Sequence, residues 1–208
     1  MRIQSRLTGA RRISGIAAVG TAAALVGGLV NPGTAEAAID LHYKVTGTAH
    51  VVKMNADIPI EGEVDVQLNG ATGEFTSKFR QTSVPRVKFK AFGMFDSEVD
   101  VEFFEAAPSH GKIAGGNVTF DLPLQIRLQN ISAVGFPIGG GPDCVQQQPP
   151  TLSLKSTSPF VPAKGGDLAG APYALSEWSQ GCGGFTGLVN MNSTGPDNTA
   201  QVKLTHVG

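Results

Sequence analysis

Arg86-Val87-Lys88-Phe89-Lys90-Ala91 and Glu98-Val99-Asp100-Val101-Glu102-Phe103 decide the fold. Each stretch alternates charged with apolar residues, the period of a strand that shows one face to water. The first carries only cations on its polar face and the second only anions. The two therefore read as a hairpin around the loop Phe92-Gly93-Met94-Phe95. Setting Lys90 opposite Glu98 brings Lys88 to Asp100 and Arg86 to Glu102. Phe89–Val99 and Val87–Val101 then fall on the other face, so one register satisfies five pairs.

The same period extends in both directions. Leu41, Tyr43 and Val45 alternate with His42, Lys44 and Thr46; Gly47 interrupts, which predicts a bulge or bend before Ala49 and Val51 resume. Val64, Val66 and Leu68 alternate with Glu63, Asp65 and Gln67, followed by the turn cluster Asn69-Gly70-Ala71-Thr72-Gly73. Pairing Leu68 with Phe75 across that turn sets Asp65 against Lys78 and Glu63 against Arg80. Ala106 to Gly116 reads as a loop. Val118 to Leu128 is a long strand with its apolar residues at even positions, and Pro123 should bend it or mark an edge. Leu152 and Leu154 mark a short strand, and Ser156 to Gly170 reads as a Pro/Gly-rich loop. Ala171–Trp178 and Thr186–Met191 each fit either a strand or a short helix. Gly195-Pro196-Asp197-Asn198 reads as a turn before a last strand at Ala200, Val202 and Leu204. About eight strands separated by Gly/Pro turns predict an all-β fold, an antiparallel β-sandwich or β-barrel.

Residues 1–37 stand apart. Arg2, Arg6, Arg11 and Arg12 precede an apolar run of 15 residues, Ile16 to Val30, and Ala35-Glu36-Ala37 offers a cleavage site before Ala38. This is the pattern of a secretory signal peptide. The run is shorter than the roughly 20 residues of a spanning helix, which would be the alternative. Arg11-Arg12 leaves twin-arginine export open beside the general route. Residues 38–208 then form a single secreted domain with no membrane anchor. Removing four arginines and one glutamate from 16 basic and 17 acidic residues leaves 12 and 16, a net charge of −4. A mildly acidic chain gives nucleic acid no electrostatic footprint.

Cys144 and Cys182 are the only cysteines and enclose 37 residues. In an oxidising compartment they read as one disulfide, worth about 4 kcal/mol by loop entropy, with two free thiols as the alternative.

The polar motifs read as structural. Glu98, Asp100 and Glu102 share a face at roughly 6.5–7 Å spacing, close to that of glycosidase carboxylate pairs, but Arg86, Lys88 and Lys90 answer them. His42, His50, His110 and His206 have no metal-ligand spacing. Ser109 and Lys112 match Ser-x-x-Lys without the companion motifs of that chemistry. No catalytic, metal or cofactor residue is expected.

What is left over is apolar. Phe92, Met94 and Phe95, with Phe136 and Ile138, lie in or near turns, where polar residues are the rule. They either plug the ends of the fold or form a patch for an apolar ligand or a partner.

Phe89-Lys90-Ala91-Phe92-Gly93, Gly141-Pro142-Asp143-Cys144, Tyr173, Cys182-Gly183, Thr186, Leu188, Asn190 and Gly195-Pro196-Asp197-Asn198-Thr199 together resemble a group of secreted all-β proteins of actinobacteria. The resemblance covers nearly all of residues 38–208. It implies an exported all-β protein, and its motifs are structural, so no catalytic residue follows from it. Asp143 stands where the group carries Asn. The expected function is a secreted, non-catalytic binding or cell-envelope-associated protein, its partner an apolar small molecule or an envelope component. A structural or adhesive module that binds protein or polysaccharide through its loops is the alternative, and a hydrolase the third.

Overall fold

The computed structural model describes residues 38–208, so the expected signal peptide lies outside the described residues. Twelve strands and one α-helix follow in order: β1 (Ile39–Val51), β2 (Ala56–Leu68), β3 (Glu74–Gln81), β4 (Arg86–Ala91), β5 (Phe95–Glu105), β6 (Ser109–Ala114), β7 (Asn117–Ala133), β8 (Phe136–Gly139), β9 (Thr151–Ser156), β10 (Gly165–Gly170), β11 (Tyr173–Leu175), α1 (Thr186–Ser193) and β12 (Gly195–His206). The fold is all-β and antiparallel, as the alternation predicts.

Eight of these strands close a ring. The order β1-β2-β3-β6-β7-β9-β10-β12 returns to β1, each strand pairing with the next in the chain order of the eight. Such a meander barrel leaves its member strands few free edges. The other strands are insertions. β4 and β5 enter between β3 and β6, and β5 pairs with the second half of β7, whose far side carries β8. β7 therefore serves the ring with its first half and a second sheet, β4-β5-β7-β8, with its last.

One row of side chains follows these long strands from the barrel into a sandwich. Along β7, Val118, Phe120 and Leu122 point into the barrel, and Ile126 and Leu128 pack between the second sheet and the end of the β1–β2 hairpin, beside Val51 and Ile58. Both sequence alternatives, barrel and sandwich, are thus present in one continuous core.

The β2–β3 register is the one the charges predict: Leu68 faces Phe75, Asp65 faces Lys78 and Glu63 faces Arg80. The β4–β5 register differs from expectation by one two-residue step. Arg86 pairs with Asp100, Lys88 with Glu98 and Lys90 with Asp96, while Val87 faces Val99 and Phe89 faces Ser97. The cause is the turn. Phe92 and Gly93 both adopt left-handed backbone (φ 53° and 72°), which closes the hairpin tightly between Ala91 and Phe95. Asp96, Glu98, Asp100 and Glu102 are evenly spaced, so three cations can slide one step along four anions without losing a pair. Glu102 is then taken by Arg127 of β7 at 2.8 Å.

Gly47 makes no bulge. β1 pairs with β2 and β12 straight through it, and a Cβ there would lie 2.2 Å from the Gln201 carbonyl oxygen. The glycine permits close approach of a neighbouring strand. Pro123 is not at an edge either. It pairs with Thr151 on one side, and on the other it sits where β7 passes from β6 to β5. Its carbonyl accepts from the Ala106 N–H at 2.9 Å on that side. The absent N–H of the proline faces the same gap, where no ladder bond is lost.

Three expected loops or turns contain strands. β6 lies within Ala106–Gly116, β10 within Ser156–Gly170, and β12 already begins at Gly195. Asp197 there takes φ 66°, so the turn character survives as a local irregularity. Ala171–Trp178 resolves as the strand β11, and Thr186–Met191 as helix.

The barrel is filled. Phe160, from the β9–β10 loop, turns into its interior beside Tyr43 (ring centroids 5.9 Å), and the Tyr43 hydroxyl donates to the Pro162 carbonyl at 2.7 Å. About 60 Å³ of space remains inside. That is far below the roughly 300 Å³ at which ligand pockets begin.

Burial pushes the hydroxyls of Tyr43 and Tyr173 up from 10.0 to about 12. These are the chain's two tyrosines. Since the folded values are raised, the stability gained from keeping both phenols neutral is complete below pH 10 and is lost as pH climbs towards 12. A tyrosinate absorbance titration of the folded protein should show no step at 10; a step there would contradict the burial of these rings.

Candidate functional site

An apolar space lies under the second sheet. A cleft of about 350 Å³ sits between β4, β5 and β7 on one side and α1 on the other. Its walls include Phe89, Val99, Leu128 and Ile131 from the strands and Leu188 and Val189 from the helix.

Three of the five apolar residues singled out in the sequence, Phe92, Phe95 and Ile138, line this cleft. Met94 and Phe136 do not. They stand exposed beside its mouth, at 69% and 72%. The apolar loops therefore neither plug the barrel, which Phe160 does, nor form one surface patch alone.

The cleft is apolar in effect as well as in composition. Four polar side chains touch it, and three are already engaged. Ser97 Oγ donates to the Phe95 carbonyl at 3.1 Å. Ser193 Oγ accepts from Trp178 Nε1 and donates to the Val189 carbonyl, both at 2.7 Å. Asn192 Oδ1 accepts the Phe92 N–H at 2.9 Å, and its Nδ2 donates to the Leu188 carbonyl at 2.8 Å. Hydrocarbon is what faces the space. None of the lining residues ionises. The cleft thus offers no carboxylate, imidazole or amine for proton transfer.

Two devices hold its walls. The first is the bond between Cys144 and Cys182, both fully buried. Cys182 ends a 3₁₀ turn (Gln180–Cys182) four residues before Thr186, where the helix starts. Cys144 lies in the crossing after β8, where its carbonyl accepts from the Leu128 N–H at 2.9 Å. The disulfide thus fastens the approach to α1 onto β7. The second device is the Asn192 bond, which ties the β4–β5 turn to the helix.

No known family model, curated protein or solved structure matches this chain.

The remaining motifs settle into structural places. Glu98 pairs with Lys88 at 3.2 Å. Asp100 is gripped by Arg86 through Nε (2.6 Å) and Nη2 (2.8 Å) and accepts from Asn130 at 2.7 Å. The hydrogen bond from Arg86 holds its carboxyl below the usual range. The three acids are therefore each paired, though with partners shifted from those expected. His42 and His50 pair across the β1–β2 ladder with Asp65 and Asp57 at 2.5 and 2.8 Å. Ser109 donates to Glu105 at 2.9 Å, and Lys112 lies 3.8 Å from Glu74, so the Ser-x-x-Lys pair is split. Among the described residues no group of three or more His, Cys, Asp or Glu side chains could hold a metal. Asn198 is a buried tie: it accepts the Val52 N–H at 3.1 Å and donates to the carbonyls of Tyr173 and Gly195 at 3.1 and 2.8 Å. The one Trp and two Tyr, the side chains that stack best on sugars, are all buried.

Sequence reasoning missed the helix side of the cleft, Leu188 and Val189. A signal was present: no charged residue occurs between Glu177 and Asp197.

Proposed function

We propose that this chain is a secreted, non-catalytic protein that binds a small apolar ligand in the cleft between β4-β5-β7 and α1. The observation that carries the reading is the cleft itself, about 350 Å³ and walled by hydrocarbon. That volume is at the small end of ligand pockets. Its walls are fixed in advance by the disulfide and by Asn192, so little ordering is needed on binding. The apolar loops that the sequence leaves unexplained have a use at its mouth. Export is proposed from the leader in residues 1–37, and a disulfide suits an oxidising compartment. Among the described residues no helix is long and apolar enough to cross a membrane. Association with the cell envelope belongs to the same proposal, since an envelope would supply apolar molecules.

The test uses cis-parinaric acid, an acyl chain that fluoresces when it leaves water. The protein should bind it, and native mass spectrometry of protein purified without detergent should show mass that organic solvent releases. Leu188→Trp, at the half-exposed rim of the helix, should fill the cleft and weaken probe binding about tenfold or more, roughly 1.4 kcal/mol. Unchanged binding by this variant would remove the cleft as the site.

A further inference from the structure

Three segments that meet at one end of the molecule are free of charge: Phe92–Phe95, the 13 residues from Asn130 to Pro142, and the 19 from Trp178 to Pro196. Charged residues make up 16% of the chain, so runs of this length are a departure from its own composition. The segments touch. Val134 N–H donates to the carbonyl of Asp96, the residue that follows Phe95, at 2.7 Å, Gly140 N–H to the Cys182 carbonyl at 3.2 Å, and Phe92 N–H to Asn192.

On this neutral ground stand exposed apolar side chains. Of the 13 large ones exposed among the described residues, eight belong to these three segments. Met94 and Phe136 are the most exposed of all. Scattered singly such residues mean nothing, but gathered on turn tips at one end they mark a surface that binds something.

We propose that this end inserts into a neutral lipid surface. Its charge selects the occupant. The three segments themselves carry no cation that could draw an anionic headgroup; of the cations beside them, Lys90 is held by Asp96 at 2.6 Å and Arg127 by Glu102 at 2.8 Å, and Lys53 packs against Gly195. Uncharged apolar turns match the interfacial region of an uncharged lipid layer, where binding follows apolar area without electrostatic help. The cleft opens among the same turns, Phe92 and Phe95 belonging to both. A lipid layer would hold apolar molecules at that mouth, whereas a second copy of the chain would seal it. This last point rests on the ligand-binding reading; insertion itself does not.

Residues 38–208 contain the twelve described strands, the core and the disulfide, and are the protein to test. They should float with phosphatidylcholine vesicles, equally in low and high salt, since no charge pair is involved. Met94→Asp combined with Phe136→Asp should reduce flotation by about tenfold for each side chain withdrawn. Neither residue lines the cleft, so this variant should still bind cis-parinaric acid, which also reports that it is folded. Leu188→Trp should do the reverse, losing the probe and keeping the vesicles. Three results would overturn the proposal. One is flotation unchanged in the double variant. Another is flotation that requires added phosphatidylglycerol and disappears in high salt. The third is a dimer in sedimentation velocity that the double variant splits, which would assign this end to a second copy.

Discussion

Trp178→Ala is expected to destabilise the fold by about 3–5 kcal/mol, the range for removing a large aromatic from a core. For a domain of this length that lowers the melting temperature by roughly 6–20 °C. Trp178 is 2% exposed and sits where Val51, Ile58, Val101 and Leu175 converge between the second sheet and the β1–β2 hairpin. Little room remains there, so a cavity the size of an indole cannot collapse cheaply. Its Nε1–H is also the donor to Ser193, which joins it to the last turn of α1. Trp178→Phe separates the two contributions. It keeps most of the packing and leaves Ser193 its bond to Val189, so it should cost about 1–2 kcal/mol. Urea denaturation of both variants reads the difference. An alanine cost below that of phenylalanine would mean that the ring does not fill the space described.

Cys144→Ala with Cys182→Ala is expected to cost about 2–5 kcal/mol, the usual consequence of removing one disulfide. The distribution of the loss is the sharper test. The bond joins the crossing after β8 to the turn before α1, whereas the ring of eight strands is closed by backbone ladders without it. Amide exchange should therefore accelerate most in Gln180–Ser193 and least in β1 and β2. Binding of cis-parinaric acid should fall with it, because α1 is one wall of the cleft. Exchange that speeds up evenly across the molecule would show that the disulfide supports the whole fold and not the helix.

Much of this architecture is legible in the residues, and the exceptions share a cause. The β2–β3 register could be read because the glycine-rich turn Asn69–Gly73 sets it: Leu68 falls opposite Phe75, and the pairs Asp65–Lys78 and Glu63–Arg80 follow. The β4–β5 register could not, because four evenly spaced acids fit three bases in two ways, and the left-handed turn at Phe92-Gly93 decides. The strands β6 and β10 read as loops because each has a glycine in its inward row, so only Ile113 and Leu168 mark that row as apolar. A Cβ at Gly111 would lie 2.1 Å from the Phe75 ring, and one at Gly166 would lie 2.9 Å from Phe160. The aromatic that fills the space belongs to another segment, so the alternation these strands need is supplied by a neighbour. The candidate site was half visible for a related reason. Phe92, Phe95 and Ile138 stand out because apolar residues are unusual in turns, while Leu188 and Val189 lie in a short helix among Gly, Thr and Asn and show no marked apolar face.

The ring closes by joining its first strand to its last. Tyr43 pairs with His206 and Thr48 with Gln201, contacts that span most of the chain and carry the largest loop-closure cost of any in the barrel. A chain made from its N-terminus can build the meander from β1 through β10 as it emerges. It leaves one side of β1 without a partner until residues 199–206 exist. That bare strand side is the point at which a half-made chain is most open to pairing with another. Ring closure therefore waits for residues 199–206, and a copy interrupted shortly before them would keep most of its core yet remain an open sheet.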